Sequence, residues 1–109
     1  MKNIYIKHIA ARLQVKEWQV ENCAALFEEG ATIPFISRYR KERTGGLDEV
    51  AVAEIRHFTD VFAEMEKRKQ TILETIEAAG ALTPELSGRI EASVDSRELE
   101  DLYLPYKPK

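Results

Sequence analysis

Apolar residues return along this chain at intervals of three and four, the spacing of one face of an α-helix, and no stretch alternates like a half-buried strand. Ile6, Ile9, Ala10 and Leu13 make the first such stripe and predict a helix over residues 3–13. A second helix is predicted over 16–29, with Val20, Cys23, Ala24 and Phe27 inward and Trp18 as a core anchor. Gly30 follows its last turn, where a left-handed residue commonly ends a helix. Thr32 and Pro34 offer a cap and a first-turn proline for a short third helix over 34–42. There Phe35 and Tyr39 share one side and Arg40 and Lys41 face outward, before Thr44-Gly45-Gly46 breaks the pattern.

The fourth helix is predicted over 48–79. Ile55, Phe58, Phe62, Met65, Lys69, Ile72, Ile76 and Ala79 keep a strict three-four alternation, a heptad seam interrupted only by Lys69. Such a helix would be roughly 48 Å long, against a radius of gyration of about 13 Å for a compact chain of this size. It is therefore expected to project beyond the core or to bend near residues 67–70. Gly80 ends it, and Thr83-Pro84 starts another helix reaching residue 92 or 93. Asp95 and Glu98 have capping-box spacing and open a last helix through Tyr103. Pro105 and Pro108 bias residues 104–109 to an extended linker. The expected fold is all-α, a helical bundle over residues 1–103 with a helix-turn-helix-like N-terminal part and one long helix.

Composition narrows the function classes. The 109 residues are 44% hydrophobic and 32% charged, a globular balance. A net charge of −3 argues against a surface built throughout for phosphates, so any nucleic-acid contact must come from a local basic patch. With Cys23 as the single cysteine there is no internal disulfide and no thiol-based zinc cluster. The N-terminus carries no signal-peptide pattern, and no apolar run approaches the roughly 20 residues needed to span a bilayer. A cytoplasmic protein without membrane contact is expected.

The block 31–50, Ala-Thr-Ile-Pro-Phe-Ile-Ser-Arg-Tyr-Arg-Lys-Glu-Arg-Thr-Gly-Gly-Leu-Asp-Glu-Val, packs a turn, a basic helix, a second turn and a helix start into consecutive positions. It resembles the N-terminal region of the bacterial Tex proteins, transcription accessory factors. Trp18-Gln19-Val20-Glu21, Leu82-Thr83-Pro84-Glu85-Leu86 and the closing stretch Leu99-Glu100-Asp101-Leu102-Tyr103-Leu104-Pro105-Tyr106-Lys107-Pro108-Lys109 follow the same family in the same order. Ser37 and Arg43 depart from it, standing where alanine-like residues are expected. The resemblance implies an N-terminal domain whose relatives continue into an RNase H-like domain, helix-hairpin-helix elements and an OB-fold RNA-binding domain. Its implied partners are those remaining domains, RNA or DNA, and the transcription machinery.

Arg38, Arg40, Lys41 and Arg43 form the densest basic cluster, with Tyr39 among them. They suit phosphate contact, with Tyr39 available for stacking. The same residues also fit a solvated helix face, with Arg38 and Glu42 paired at i,i+4 and Tyr39 in the core. The second and third helices, joined around Gly30-Ala31-Thr32, resemble a helix-turn-helix. A DNA reader, however, presents polar side chains from the first turn of its second helix. Pro34, Phe35 and Ile36 occupy that turn and belong in a core, so packing suits the unit better than base reading. Thr44-Gly45-Gly46 lacks the lysine and spacing of a phosphate cradle, and Asp48 and Glu49 would repel an anion there.

His8 and His57 have no ligand spacing, and no nucleophile–base pair is evident. No enzyme activity, cofactor or metal is expected. Ile72, Ile76 and Ala79 continue the long seam past Lys69, where only the short C-terminal helices remain to cover them. Whatever they leave bare is expected to be an interaction surface. The rival to a nucleic-acid-contacting module is accordingly a protein–protein scaffold using that seam.

Overall fold

Four helices in this chain begin where a side chain takes an orphan N–H of the first turn. Thr32 accepts from the Phe35 amide at 3.3 Å, Asp48 from Ala51 at 2.8 Å, Thr83 from Leu86 at 3.1 Å and Asp95 from Arg97 at 2.9 Å. The computed structural model describes residues 1–108. Among them are α1 (Asn3–Leu13), α2 (Glu17–Glu28), α3 (Ile33–Tyr39), α4 (Lys41–Thr44), α5 (Glu49–Ala78), α6 (Pro84–Ala92) and α7 (Ser96–Tyr103), with no strand. The fold is all-α, as the periodicity predicts.

Two differences are local. The third predicted helix is two, because Arg40 leaves the helical region at φ −129° and ψ 33°. Its amide closes α3 on the Ile36 carbonyl, and its own carbonyl accepts from Arg43 and Thr44 to open α4. Beyond α7, Leu104–Tyr106 winds into a 3-10 turn rather than running extended, and only then does Lys107 adopt extended dihedrals. Pro105 can sit in that turn because the first positions need no N–H. Lys109 lies outside the described residues.

The chain forms two compact units, residues 1–61 and residues 62 onward, and α5 supplies helix to both. At 30 residues α5 is about 45 Å long. It runs without interruption through 67–70, and both halves carry buried side chains, so neither a bare projecting end nor a break is needed. The long helix expected either to project or to bend near residues 67–70 instead contributes buried residues to each unit.

In the first unit α1 packs on α2, and α4 packs on both α2 and α3. Tyr5, Ile6, Ile9, Ala10, Val20, Cys23, Leu26, Ile36, Val52 and Ile55 are its buried apolar residues. Leu26 takes the inner position expected of Phe27, which is half-buried beneath the Arg56 guanidinium, 5.0 Å from its ring centroid. Cys23 is fully buried, and burial pushes its thiol up to about 11, which makes it an inert packing residue.

In the second unit Phe62, Met65, Ile72, Ile76, Leu86, Ile90, Leu99 and Tyr103 are buried. Lys69, the interruption in the seam, is buried with them at 1% exposure. Its ammonium donates to the Glu91 carbonyl at 2.8 Å and the Ser93 carbonyl at 2.6 Å, where α6 ends. A cation delivered from α5 thus answers the last carbonyls of α6, the negative end of that helix.

Arg68 beside it reaches α7, meeting Glu100 through Nε at 2.7 Å and Nη2 at 3.0 Å, with its guanidinium 5.2 Å from the Tyr103 ring centroid. The hydrogen bonds from Arg68 hold the Glu100 carboxyl below its ordinary range. A depressed carboxylate stabilises the fold fully above its unfolded pKa, and loses that contribution as pH falls through the folded value. Both groups are more than a third exposed, so the pair is worth about 0.2–1 kcal/mol at neutral pH. The stability gap between the parent and Glu100→Gln should close across that acid window in denaturation melts. A gap independent of pH would show that the carboxylate's charge is not what Arg68 holds.

Candidate nucleic-acid interface

The basic cluster sits in the first unit, on the one-residue break between α3 and α4. α3 is short and its first turn is half outside the core: Ile36 and Ser37 are buried, Pro34 is exposed and Phe35 is 39% exposed. One turn on, Tyr39 is 63% exposed and pairs with Phe35 at 5.5 Å between ring centroids. The shared side expected of these two rings is observed. Their burial is not, because the break at Arg40 turns the chain before α3 can lay that side on a neighbour.

Arg40 folds back over Phe35. Its guanidinium lies 4.9 Å from the Phe35 ring centroid, and Nη1 donates to the Tyr39 carbonyl at 3.0 Å. Arg38 and Lys41 are exposed, and Arg43 is half-buried. Among the described residues no carboxylate forms an ion pair with Arg38, Arg40, Lys41 or Arg43, so the Arg38–Glu42 pair that spacing allows is not made. Leu26, Glu29, Thr32, Phe35, Arg40 and Arg43 line a shallow groove of about 460 Å³ beside the cluster, with Glu29 as its one acid.

What aims this surface is a pair of side chains that sequence patterning passes over. Gln19 accepts from the Lys16 amide through Oε1 at 2.8 Å and donates from Nε2 to the Thr44 carbonyl at 2.7 Å. Asn22, one turn along α2, donates from Nδ2 to the Arg43 carbonyl at 2.7 Å. A four-residue helix has almost no internal hydrogen bonding, and these two amides satisfy its last carbonyls. The only trace in the sequence is two amides at i,i+3 beside the buried Val20 and Cys23.

Gly45 closes α4 at φ +69°, a left-handed position that suits glycine. A Cβ there would lie 2.7 Å from both Gln19 Nε2 and Trp18 Cη2. Trp18 therefore rests one edge of its indole on the Gly45 backbone and stays 48% exposed, contrary to its expected place in the core. It is the second residue of α2 and stands on the side that faces α4.

The interaction surface expected on the long helix is not at the surface. Ile72 and Ile76 are fully buried, and of the three residues only Ala79 is exposed. The second unit spends that part of the seam on its own core. His8 and His57 meet Phe58 edge-on at 6.3 and 5.7 Å. Among the described residues no three His, Cys, Asp or Glu side chains converge on a metal position, and no helix is long and apolar enough to cross a membrane.

The family model described as the Tex-like protein N-terminal domain matches residues 3–77, from the start of α1 nearly to the end of α5. The chain belongs to the Tex-like N-terminal domain family. This Tex-like domain is 44% identical over 109 residues to Protein YhgF of Escherichia coli, a match covering all of this chain and 14% of that protein. It is 43% identical over 101 residues to the transcriptional accessory protein Tex of Neisseria gonorrhoeae, covering 93% of this chain and 13% of that one. A more distant relative is the human S1 RNA-binding domain-containing protein 1, 28% identical over 102 residues, with 94% of this chain and 10% of that protein covered. The Tex-like domain thus spans no more than 14% of the length of these curated relatives.

Proposed function

We propose that the domain is the N-terminal module of a Tex-like transcription accessory protein, and that it contacts RNA or DNA backbone through Arg38, Arg40, Lys41 and Arg43. The observation that carries this reading is four cations within six residues that lack carboxylate partners among the described residues, beside two exposed aromatic rings. An unneutralised local patch on an otherwise acidic chain is the footprint that backbone contact needs. The relatives' names, a transcriptional accessory protein and an S1 RNA-binding domain-containing protein, agree with it in kind. The contact is to phosphate and not to a base sequence, because the first turn of α3 offers Pro34 and Phe35 where a reader needs polar side chains. The domain also docks on the rest of its own protein in this proposal, by a surface other than Ile72 and Ile76. It works in the cytoplasm and catalyses nothing.

Arg38 and Lys41 provide the test, because both are exposed and neither side chain makes a hydrogen bond or ion pair among the described residues. Replacing both with alanine should weaken binding to RNA or DNA about equally for unrelated sequences. The dependence of log affinity on log salt should become shallower by up to about one unit per lost contact. Stability should move by less than about 0.5 kcal/mol. A double variant that binds as the parent does but melts well below it would make the patch a structural feature.

A further inference from the structure

The proposed function leaves Trp18 unused, an exposed indole on a chain that buries most of its large apolar side chains. Its position is set by α4. The indole edge lies against Gly45, the residue that closes α4, while Tyr39 immediately precedes Arg40, the residue that opens it. Four helical residues span about 6 Å, so the two backbone positions that these rings adjoin lie at opposite ends of a single helical turn, with Lys41 and Arg43 on the helix between them. Both rings are braced from behind. Tyr39 leans on Phe35, over whose ring the Arg40 guanidinium lies, and Trp18 is held at the point where Gln19 clamps the Thr44 carbonyl.

From this geometry we infer that Trp18 and Tyr39 are two base-stacking stations at the two ends of α4, and that the site takes an unpaired strand rather than a duplex. The inference rests on the reading of the basic patch as a phosphate contact and adds to it a residue and a substrate form. Cations track the backbone between the stations while each ring takes the face of a base, a combination that suits single strands of any sequence. Paired bases are stacked on one another and cannot offer both faces to a protein ring, so a duplex would engage the cations alone. Gly45 belongs to the device: any side chain there would displace the indole from the backbone it lies on.

Trp18 is the only tryptophan in the chain and reports on its own contact. A short fluorescein-labelled oligouridylate, and an RNA duplex of matching length, are titrated at low salt while anisotropy and tryptophan emission are followed together. The oligouridylate is expected to quench Trp18 with the same midpoint as the anisotropy change, and to bind more tightly than the duplex. Trp18→Ala should weaken it roughly tenfold, and Trp18→Phe, which keeps a stacking face, should recover most of that loss. Circular dichroism of both variants guards against a folding defect. Binding that needs Arg38 and Lys41 but neither quenches Trp18 nor responds to its replacement would overturn the stacking role and leave the patch standing. Equal affinity for the duplex would do the same. No binding of either probe at low salt would overturn the patch itself.

Discussion

Replacing Lys69 with alanine is expected to destabilise the second unit by roughly 3 kcal/mol, a large effect for a residue that breaks an apolar seam. Three losses combine. The buried four-carbon stem leaves a cavity among side chains such as Ile72 and Met65 that neighbour it on α5. The Glu91 and Ser93 carbonyls lose a charged donor, and leaving the buried Ser93 acceptor unanswered costs about 1–3 kcal/mol. Finally, α6 loses a cation at its negative end, and the connector into α7 loses its tether to α5.

Lys69→Met separates these contributions, because it keeps most of the volume and removes only the charge and the donors. Its loss should fall between zero and that of the alanine variant in chemical denaturation. A methionine variant more stable than the parent would mean that the two carbonyls do not offset the cost of drying the ammonium, as happens with some buried ion pairs.

Ile76→Glu should unfold the second unit outright. Ile76 has no exposed surface, and a carboxylate there must either be neutralised or stay buried without partners, at a cost above about 4 kcal/mol. Helical circular dichroism should fall, whereas Ala79→Glu, one turn on and exposed, should leave it unchanged. The pair of variants distinguishes core from interface. Retained helicity in Ile76→Glu, with altered light scattering, would restore this stretch as an association surface and contradict its burial here.

Where the helices lie was legible from residue order alone. Thr32-Pro34, Asp48, Thr83-Pro84 and Asp95 mark starts through hydrogen bonds that reach no further than three residues. Gly30, Gly45 and Gly80 follow ends, and all three adopt positive φ. The family was legible as well, since its motifs run in order along the chain and the family model matches most of it. The cations of the candidate site were legible as a cluster, because four of them fall within six residues. Their lack of carboxylate partners was not, because Glu42 stands at ideal helical spacing from Arg38 and only the break at Arg40 removes the regular helix that would pair them.

The sequence by itself determined the helical class, the start and stop of nearly every helix, and the family, because caps, turn glycines and apolar periodicity are local properties of the chain. Only the tertiary structure decided which faces are dry. Trp18 and Tyr39 look like core residues and stand in solvent, Lys69 looks like a surface residue and is buried, and Leu26 rather than Phe27 points inward. Periodicity assigns a side chain to a helix face, but burial depends on which distant segment arrives to cover that face. Here it was settled by contacts 21 to 25 residues apart in sequence, those of Gln19 and Asn22 with the end of α4 and of Lys69 with the end of α6.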